Sequence, residues 1–91
     1  MRSVYKYVII TEDGKMKLWT PPPGVKRKRK SPTLEELQSI VMGRVEIIKH
    51  AHYKIWVNEE GKINGMYPNK GASAFCRADQ TLYGPVLIRY R

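Results

Sequence analysis

Hydrophobic and polar positions alternate in short segments at the start of the chain. Residues 4–10 are β-branched or aromatic except for Lys6, which is the pattern of a strand. Asp13-Gly14 then gives a hairpin signal, because glycine adopts the positive φ that tight turns need. Residues 16–19 alternate again and predict the returning strand, which ends before the prolines at 21–23 since proline has no amide hydrogen to donate. The chain therefore opens with a predicted β-hairpin.

A single amphipathic helix is predicted over residues 34–42. Its apolar side chains recur at helical spacing on one face: Leu34, Leu37, Ile40 and Val41. Thr33 and Glu36 form the capping-box pattern, in which each side chain bonds the backbone N–H of the other residue. Gly43 follows the segment and is predicted to end the helix in the left-handed conformation.

Three more strands are predicted after this helix, over residues 44–49, 53–58 and 86–90. In the second of them, Tyr53, Ile55 and Val57 share one face, and Lys54 and Trp56 share the opposite face. A strand with this alternation lies in a sheet whose two faces have different neighbours.

Turns and one short helix are predicted between these last strands. Asn58-Glu59-Glu60-Gly61 is typical of a turn with positive φ at Gly61, and a short extended piece is predicted around Ile63. A second helix of about one and a half turns is predicted within residues 70–78. The element order predicts an α+β fold, a mostly antiparallel sheet packed with one main helix.

At 91 residues the chain is predicted to form one domain, residues 1–91, with a thin hydrophobic core. The thin core and an aromatic content of 10% predict a homo-oligomer, because aromatic residues are enriched at subunit interfaces. The longest uninterrupted apolar run, Val8-Ile9-Ile10, is far shorter than a membrane span, and no signal-peptide pattern is present. Cys76 alone cannot form an internal disulfide. The expected location is the cytoplasm of the host cell, or the nucleus only if the host is eukaryotic.

The net charge of the chain adds to this description, because it is large and unevenly distributed along the sequence. Seventeen Lys and Arg against eight Asp and Glu give a net charge of +9, and residues 1–33 hold nine of the basic and two of the acidic side chains. Five cations are consecutive, Lys26 to Lys30, inside a predicted proline-rich loop over residues 21–32. A nearly neutral body with one basic segment predicts an anionic partner.

Several short motifs in the second part of the chain occur at a recognisable spacing. They are Leu34-Glu35-Glu36-Leu37-Gln38, Val41-Met42-Gly43 with Val45-Glu46, Val57-Asn58-Glu59-Glu60-Gly61-Lys62, Gly65 through Asn69, Ala72 and Gly84-Pro85-Val86. Through them residues 34–91 resemble a phage- and virus-borne family known only as a domain of unknown function. The basic run at 26–30 lies outside the pattern. Small phage proteins of this kind include accessory and counter-defence proteins, so the resemblance implies such a role and names no reaction or ligand.

The candidate ligand-binding residues offer charge, an aromatic face or amide groups to a phosphate-bearing ligand: Lys26, Arg27, Lys28, Arg29, Lys30, Trp56, Asn69 and Lys70. The basic run can neutralise phosphates, although a solvated loop without a partner explains it as well. Trp56 can stack on a base if its ring is exposed, and core packing is the alternative. Asn69 and Lys70 open the second predicted helix, where backbone N–H groups can bind phosphate, and a helix cap explains Asn69 equally well.

The sequence predicts no enzyme, no cofactor and no metal site. Glu46 has no second carboxylate placed to form an acid–base pair, and His50 with His52 lacks a third ligand. The predicted function is sequestration of an anionic nucleotide, without catalysis, by a phage-type accessory protein. Two alternatives remain open: nonspecific binding of DNA or RNA through the basic loop and the sheet aromatics, and inhibition of a host protein by masking its acidic surface.

Overall fold

A computed structural model describes residues 5–21, 24, 31–50, 52–76 and 80–91. Five strands and two helices follow one another in this part of the chain: β1 Lys6–Ile10, β2 Met16–Leu18, α1 Leu34–Val41, β3 Val45–Lys49, β4 Lys54–Asn58, α2 Lys70–Ser73 and β5 Val86–Tyr90. The predicted α+β class is confirmed.

All five strands form one antiparallel sheet in the order β2-β1-β5-β4-β3. The last strand of the sequence, β5, lies between the two hairpins β1–β2 and β3–β4 and joins them. Its register pairs Tyr90 with Lys6 and Val86 with Ile10. The end of the sheet where β1 begins is therefore also the end where β5 finishes.

Each face of the sheet is covered by its own apolar cluster. On the α1 side, four buried residues pack together: Tyr7, Leu37, Trp56 and Leu87. On the α2 side lie Val8, Ile10, Ile55, Val57, Ala72, Leu82, Val86 and Ile88. The alternation predicted for residues 53–58 is confirmed, since Ile55 and Val57 face one cluster and Trp56 faces the other.

The start of α1 matches its sequence signature, and its end differs by one residue. The Thr33 hydroxyl accepts from the Glu36 N–H at 3.2 Å, and the Glu36 carboxylate accepts from the Thr33 N–H at 2.8 Å. The residue in the left-handed conformation is Met42, with φ 65° and ψ 40°, not Gly43 as predicted. Gly43 is needed for two reasons: its φ of 154° is one that side chains rarely adopt, and a Cβ there would lie 2.7 Å from Asn58 Nδ2.

The turn after β4 also differs from the sequence prediction. Residues 59–65 form turns, so the extended piece predicted around Ile63 is wrong. Positive φ falls on Gly65, at 73°, and not on Gly61. Gly61 instead lacks room for a side chain, since a Cβ would lie 3.0 Å from the Cβ of Tyr83. The α2 helix is present but shorter than predicted, and residues 77–79 lie outside the described part of the chain.

In the described part of the chain, no helix has both the length and the apolar character that crossing a membrane requires.

Candidate functional site: a basic cleft at the end of the sheet

Three cations face one another across three neighbouring strands. Lys49 of β3 is directly opposite Lys54 of β4, and Lys54 is directly opposite Arg89 of β5. Directly opposed residues lie on the same face, and like charges in that position destabilise a sheet. None of the three makes an ion pair with a described acidic residue, and the ion pair between Lys15 and Asp13 lies elsewhere, on the β1–β2 hairpin. The register therefore concentrates positive charge that the described residues leave uncompensated.

Tyr5 lies just before β1 and holds two arginines at the end of β5. Arg89 Cζ lies over the Tyr5 ring, 4.2 Å from its centroid, and Arg91 Cζ is 5.1 Å from the same centroid. Arg91 Nη2 also donates a hydrogen bond of 2.9 Å to Tyr5 Oη. This hydrogen bond and the charge of Arg91 lower the pKa of Tyr5 below its ordinary value, and the charge of Arg89 acts in the same direction. One ring thus fixes both guanidinium groups at the same place.

Tyr5, Lys54, Arg89 and Arg91 border a cleft of about 390 Å³, here called the basic cleft. The described residues of its lining are Tyr5, His50, His52, Tyr53, Lys54, Arg89, Tyr90 and Arg91. None of these described residues is Asp or Glu, and the cleft volume is at the lower end of the range of about 300–1,000 Å³ for small-molecule sites. The cleft suits an anion of modest size.

His50 contributes a buried polar atom to this lining. Its backbone N–H donates to the Tyr53 carbonyl at 2.8 Å, which closes the β3–β4 hairpin. Its Nε2 is buried and has no hydrogen-bond partner among the described residues. A buried polar group left unpaired costs about 1–3 kcal/mol. A group of this kind in a cleft is a candidate contact for a ligand.

A family model described as a domain of unknown function (DUF3846) matches residues 6–90. The chain belongs to the DUF3846 family. The match is wider than the resemblance over residues 34–91, since it includes the β1–β2 hairpin and the basic run, and it ends short of two cleft residues, Tyr5 and Arg91. The description of the DUF3846 family names no activity. Neither the curated proteins nor the solved structures contain a significant match.

The Asn69 side chain of this DUF3846 domain is used by the fold itself. It is fully buried, and its Nδ2 donates to the carbonyls of Ile10 at 2.8 Å and Gly84 at 2.9 Å. Its Oδ1 accepts from the Ala72 N–H at 3.0 Å, which is the helix-cap role that the sequence left open beside phosphate binding. Lys70 is exposed on α2 and borders a groove on the β1–β2 hairpin side, not the basic cleft.

Trp56 lies within the core, next to the cation row formed by Lys49, Lys54 and Arg89. Its side chain is 7% exposed and packs with Tyr7, ring centroids 6.2 Å apart, and Leu87. Lys54 Nζ lies 5.2 Å from its ring centroid. A ring in this position has no free face for a base, so Trp56 supports the cleft by positioning Lys54. The basic run, Lys26 to Lys30, lies outside the described residues of the DUF3846 domain.

None of the described residues that line the basic cleft was among the predicted ligand-binding residues, although His50 and His52 were considered as metal ligands. Tyr5 and Arg91 are at opposite ends of the chain, and only the β1–β5 register brings them together. One signal was present, because Arg89 and Arg91 alternate and therefore share a face of the last predicted strand. Nothing in the sequence indicated that this face would meet Lys54.

The described residues of the DUF3846 domain show no constellation for metal or thiol chemistry. They contain no group of three or more His, Cys, Asp or Glu side chains able to hold a metal ion. Cys76 packs against the α2-side cluster, and burial raises the pKa of its thiol. A raised pKa leaves less of the nucleophilic thiolate, which favours a packing role for this residue.

Proposed function

We propose that the protein binds a small, phosphate-bearing nucleotide in the basic cleft and holds it without chemical change. The observation that carries this proposal is the register that sets Lys54 opposite both Lys49 and Arg89, while none of the three forms an ion pair with a described acidic residue. A row of like charges disfavours folding, and a bound anion relieves that repulsion. Natural sequences depart from local stability rules mainly where a function requires it.

The chemistry of the lining supports phosphate as the group recognised. Arginine presents several N–H donors in a planar fork that matches phosphate oxygens, and Arg89 and Arg91 both border the cleft. Lys54 adds a third permanent charge beside them. Tyr53 and Tyr90 also line the cleft, each partly buried against the α2-side cluster, and aromatic rings there suit the nucleoside part of a ligand.

Binding without catalysis fits this set of side chains. The described residues of the lining include no Asp, Glu, Ser or Cys side chain, so these residues offer none of the usual nucleophile–base pairs. The biological role we propose is sequestration: a small phage-type accessory protein that keeps a signalling nucleotide from a host effector, as a counter-defence function requires.

A homo-oligomer is part of this proposal. Apolar side chains are exposed at both edges of the sheet, with Leu18 on β2 at 56% exposure and Ile47 on β3 at 49%. Edge strands with exposed apolar residues favour association with another chain, and a second copy is the partner we propose.

Native mass spectrometry of the purified chain, followed by calorimetric titration with mono-, di- and cyclic nucleotides, tests the function. We expect a co-purifying or added nucleotide at a fixed stoichiometry per chain. Replacing Arg89 with Gln should weaken binding by about 10- to 100-fold, since hydrogen bonds to charged groups contribute about 1.5–3 kcal/mol. Lys62→Gln is the matched control, because Lys62 is exposed on the turn at the far end of β4.

Two results would favour the alternatives. Tight binding of random oligonucleotides, falling by about 10³-fold or more between 50 and 200 mM salt, together with no response to small nucleotides, would favour nucleic-acid binding. If neither class binds and Arg89→Gln changes nothing, the proposed function is wrong, and an acidic protein surface becomes the partner to test.

A further inference from the structure

We infer that the ligand of the basic cleft carries two adjoining phosphate groups, a diphosphate, and that Tyr5 holds Arg89 and Arg91 in position to bind them together. This inference rests on the proposed function and narrows its ligand class.

The distances place both guanidinium groups within reach of one diphosphate. Arg89 Cζ is 4.2 Å and Arg91 Cζ 5.1 Å from the same ring centroid, so the two carbons are at most 9.3 Å apart, the sum of the two distances. A guanidinium carbon lies about 4 Å from the phosphorus of a phosphate that it binds through charge-assisted hydrogen bonds. Two guanidinium groups no farther apart than this can therefore bind two phosphates joined by one bridging oxygen.

The charge of the site also exceeds what a single phosphate supplies. Arg89, Arg91 and Lys54 carry three permanent positive charges at the cleft, and no Asp or Glu side chain is among the described residues of its lining. A phosphate monoester carries about −1.5 to −2 at neutral pH, and a phosphodiester carries less. A diphosphate compensates all three cations more fully, so the site favours it over a monophosphate.

Tyr5 acts as a positioning residue in this arrangement. Its hydroxyl accepts the hydrogen bond from Arg91, and its ring lies beneath Arg89. Long arginine side chains lose conformational freedom on binding, and prior ordering reduces that cost. Removing the hydroxyl alone, in Tyr5→Phe, releases Arg91 while leaving the ring under Arg89.

Titration calorimetry at constant ionic strength, in EDTA so that magnesium does not bind the phosphates, separates these contributions. The probes are inorganic pyrophosphate against phosphate, and ADP against AMP. We expect each diphosphate to bind at least tenfold more tightly than its monophosphate. Arg91→Gln should remove most of this preference for the diphosphate, and it should weaken the binding of AMP less than the binding of ADP. Tyr5→Phe should lower the ratio several-fold, and Lys62→Gln should leave it unchanged.

The outcomes separate this inference from the function it rests on. If AMP and ADP bind equally, and phosphate and pyrophosphate bind equally, the diphosphate inference is wrong while nucleotide binding stands. If ADP is preferred but Tyr5→Phe has the wild-type ratio, Tyr5 is not a positioning residue. If no probe binds, both the inference and the proposed function fail. Circular dichroism of each variant shows whether a loss reflects unfolding.

Discussion

Where β1 and β4 end, two buried asparagines bond backbone groups of their own chain. At the other end of the sheet, cations face one another, and none of them forms an ion pair with a described acidic residue. Asn58 Nδ2 donates to the carbonyls of Val41 and Met42 at 3.0 and 3.1 Å, and its Oδ1 accepts from the Glu60 N–H at 2.8 Å. Asn69 does the same for β1, α2 and the segment before β5. The polar groups of that end are satisfied inside the fold.

The opposite end of the sheet leaves its polar groups available. Lys49, Lys54 and Arg89 repel one another across the strands, and His50 Nε2 is buried without a described partner. The polar groups that are hydrogen-bonded within the fold therefore lie at one end of the sheet, and the polar groups that a ligand can bind lie at the other end. Substitutions at the two ends should therefore change stability in opposite directions.

The largest expected effect is at Asn69. Asn69→Ala removes the side-chain hydrogen bonds to two carbonyls and one N–H in a site that is fully buried. Each such group costs about 1–3 kcal/mol, so we expect the free energy of unfolding to fall by about 3–5 kcal/mol in urea denaturation. Asn64→Ala, on an exposed turn, should change it by less than about 0.5 kcal/mol. If the Asn69 variant were as stable as this control, the hydrogen bonds of Asn69 would not stabilise this end of the sheet.

Gly43 gives the next largest effect. Gly43→Ala places a Cβ 2.7 Å from Asn58 Nδ2 and so disturbs the bonds that hold the end of α1. Such overpacking costs about 1–3 kcal/mol, measurable by thermal unfolding. In an Asn58→Ala background the same substitution should cost less, because the contact is gone and only the cost of a side chain at φ 154° is left. Equal costs in both backgrounds would show that backbone conformation, and not Asn58, requires the glycine.

At the cleft end we expect the opposite sign. Lys49→Glu converts a like-charge cross-strand pair with Lys54 into an opposite-charge pair, and such pairs contribute about 0.2–1 kcal/mol. Unfolding should therefore require slightly more denaturant, while nucleotide affinity falls. Lys17→Glu is the control, since Lys17 lies opposite Ile9 and not opposite a cation. A destabilised Lys49→Glu variant would mean that the cation row carries no repulsion.

The smallest effect is spectroscopic and concerns Tyr5. The hydrogen bond from Arg91 lowers the pKa of Tyr5, so its phenolate forms at a lower pH than that of an ordinary tyrosine. In Arg91→Gln the pKa should rise toward the ordinary value, and the midpoint of the ultraviolet phenolate titration should move to higher pH. Saturating pyrophosphate should also raise it, because a bound anion offsets the arginine charges. An unchanged midpoint in both experiments would place Arg91 away from Tyr5 in solution.

The elements of this fold were predictable from local pattern, and the cleft was not. Thr33 and Glu36 predict the start of α1, because the two residues of a capping box are separated by only three positions in the sequence. The end of α1 was misplaced by one residue because the group that decides it, Asn58, comes from β4. The cleft depends on strand register between segments that are distant in sequence, which a period-two pattern does not encode.

The central position of β5 has a consequence for the order of events during synthesis. Until residues 86–90 leave the ribosome, the β1–β2 and β3–β4 hairpins have no strand to connect them, and each exposes an edge. Pairing over such sequence distances is slow because the loop must close before contacts form. Arg89 belongs to that strand, and Tyr5 meets it only after pairing. We therefore expect the chain to bind its ligand only after β5 has been inserted between the two hairpins. Ligand binding then indicates that folding is complete.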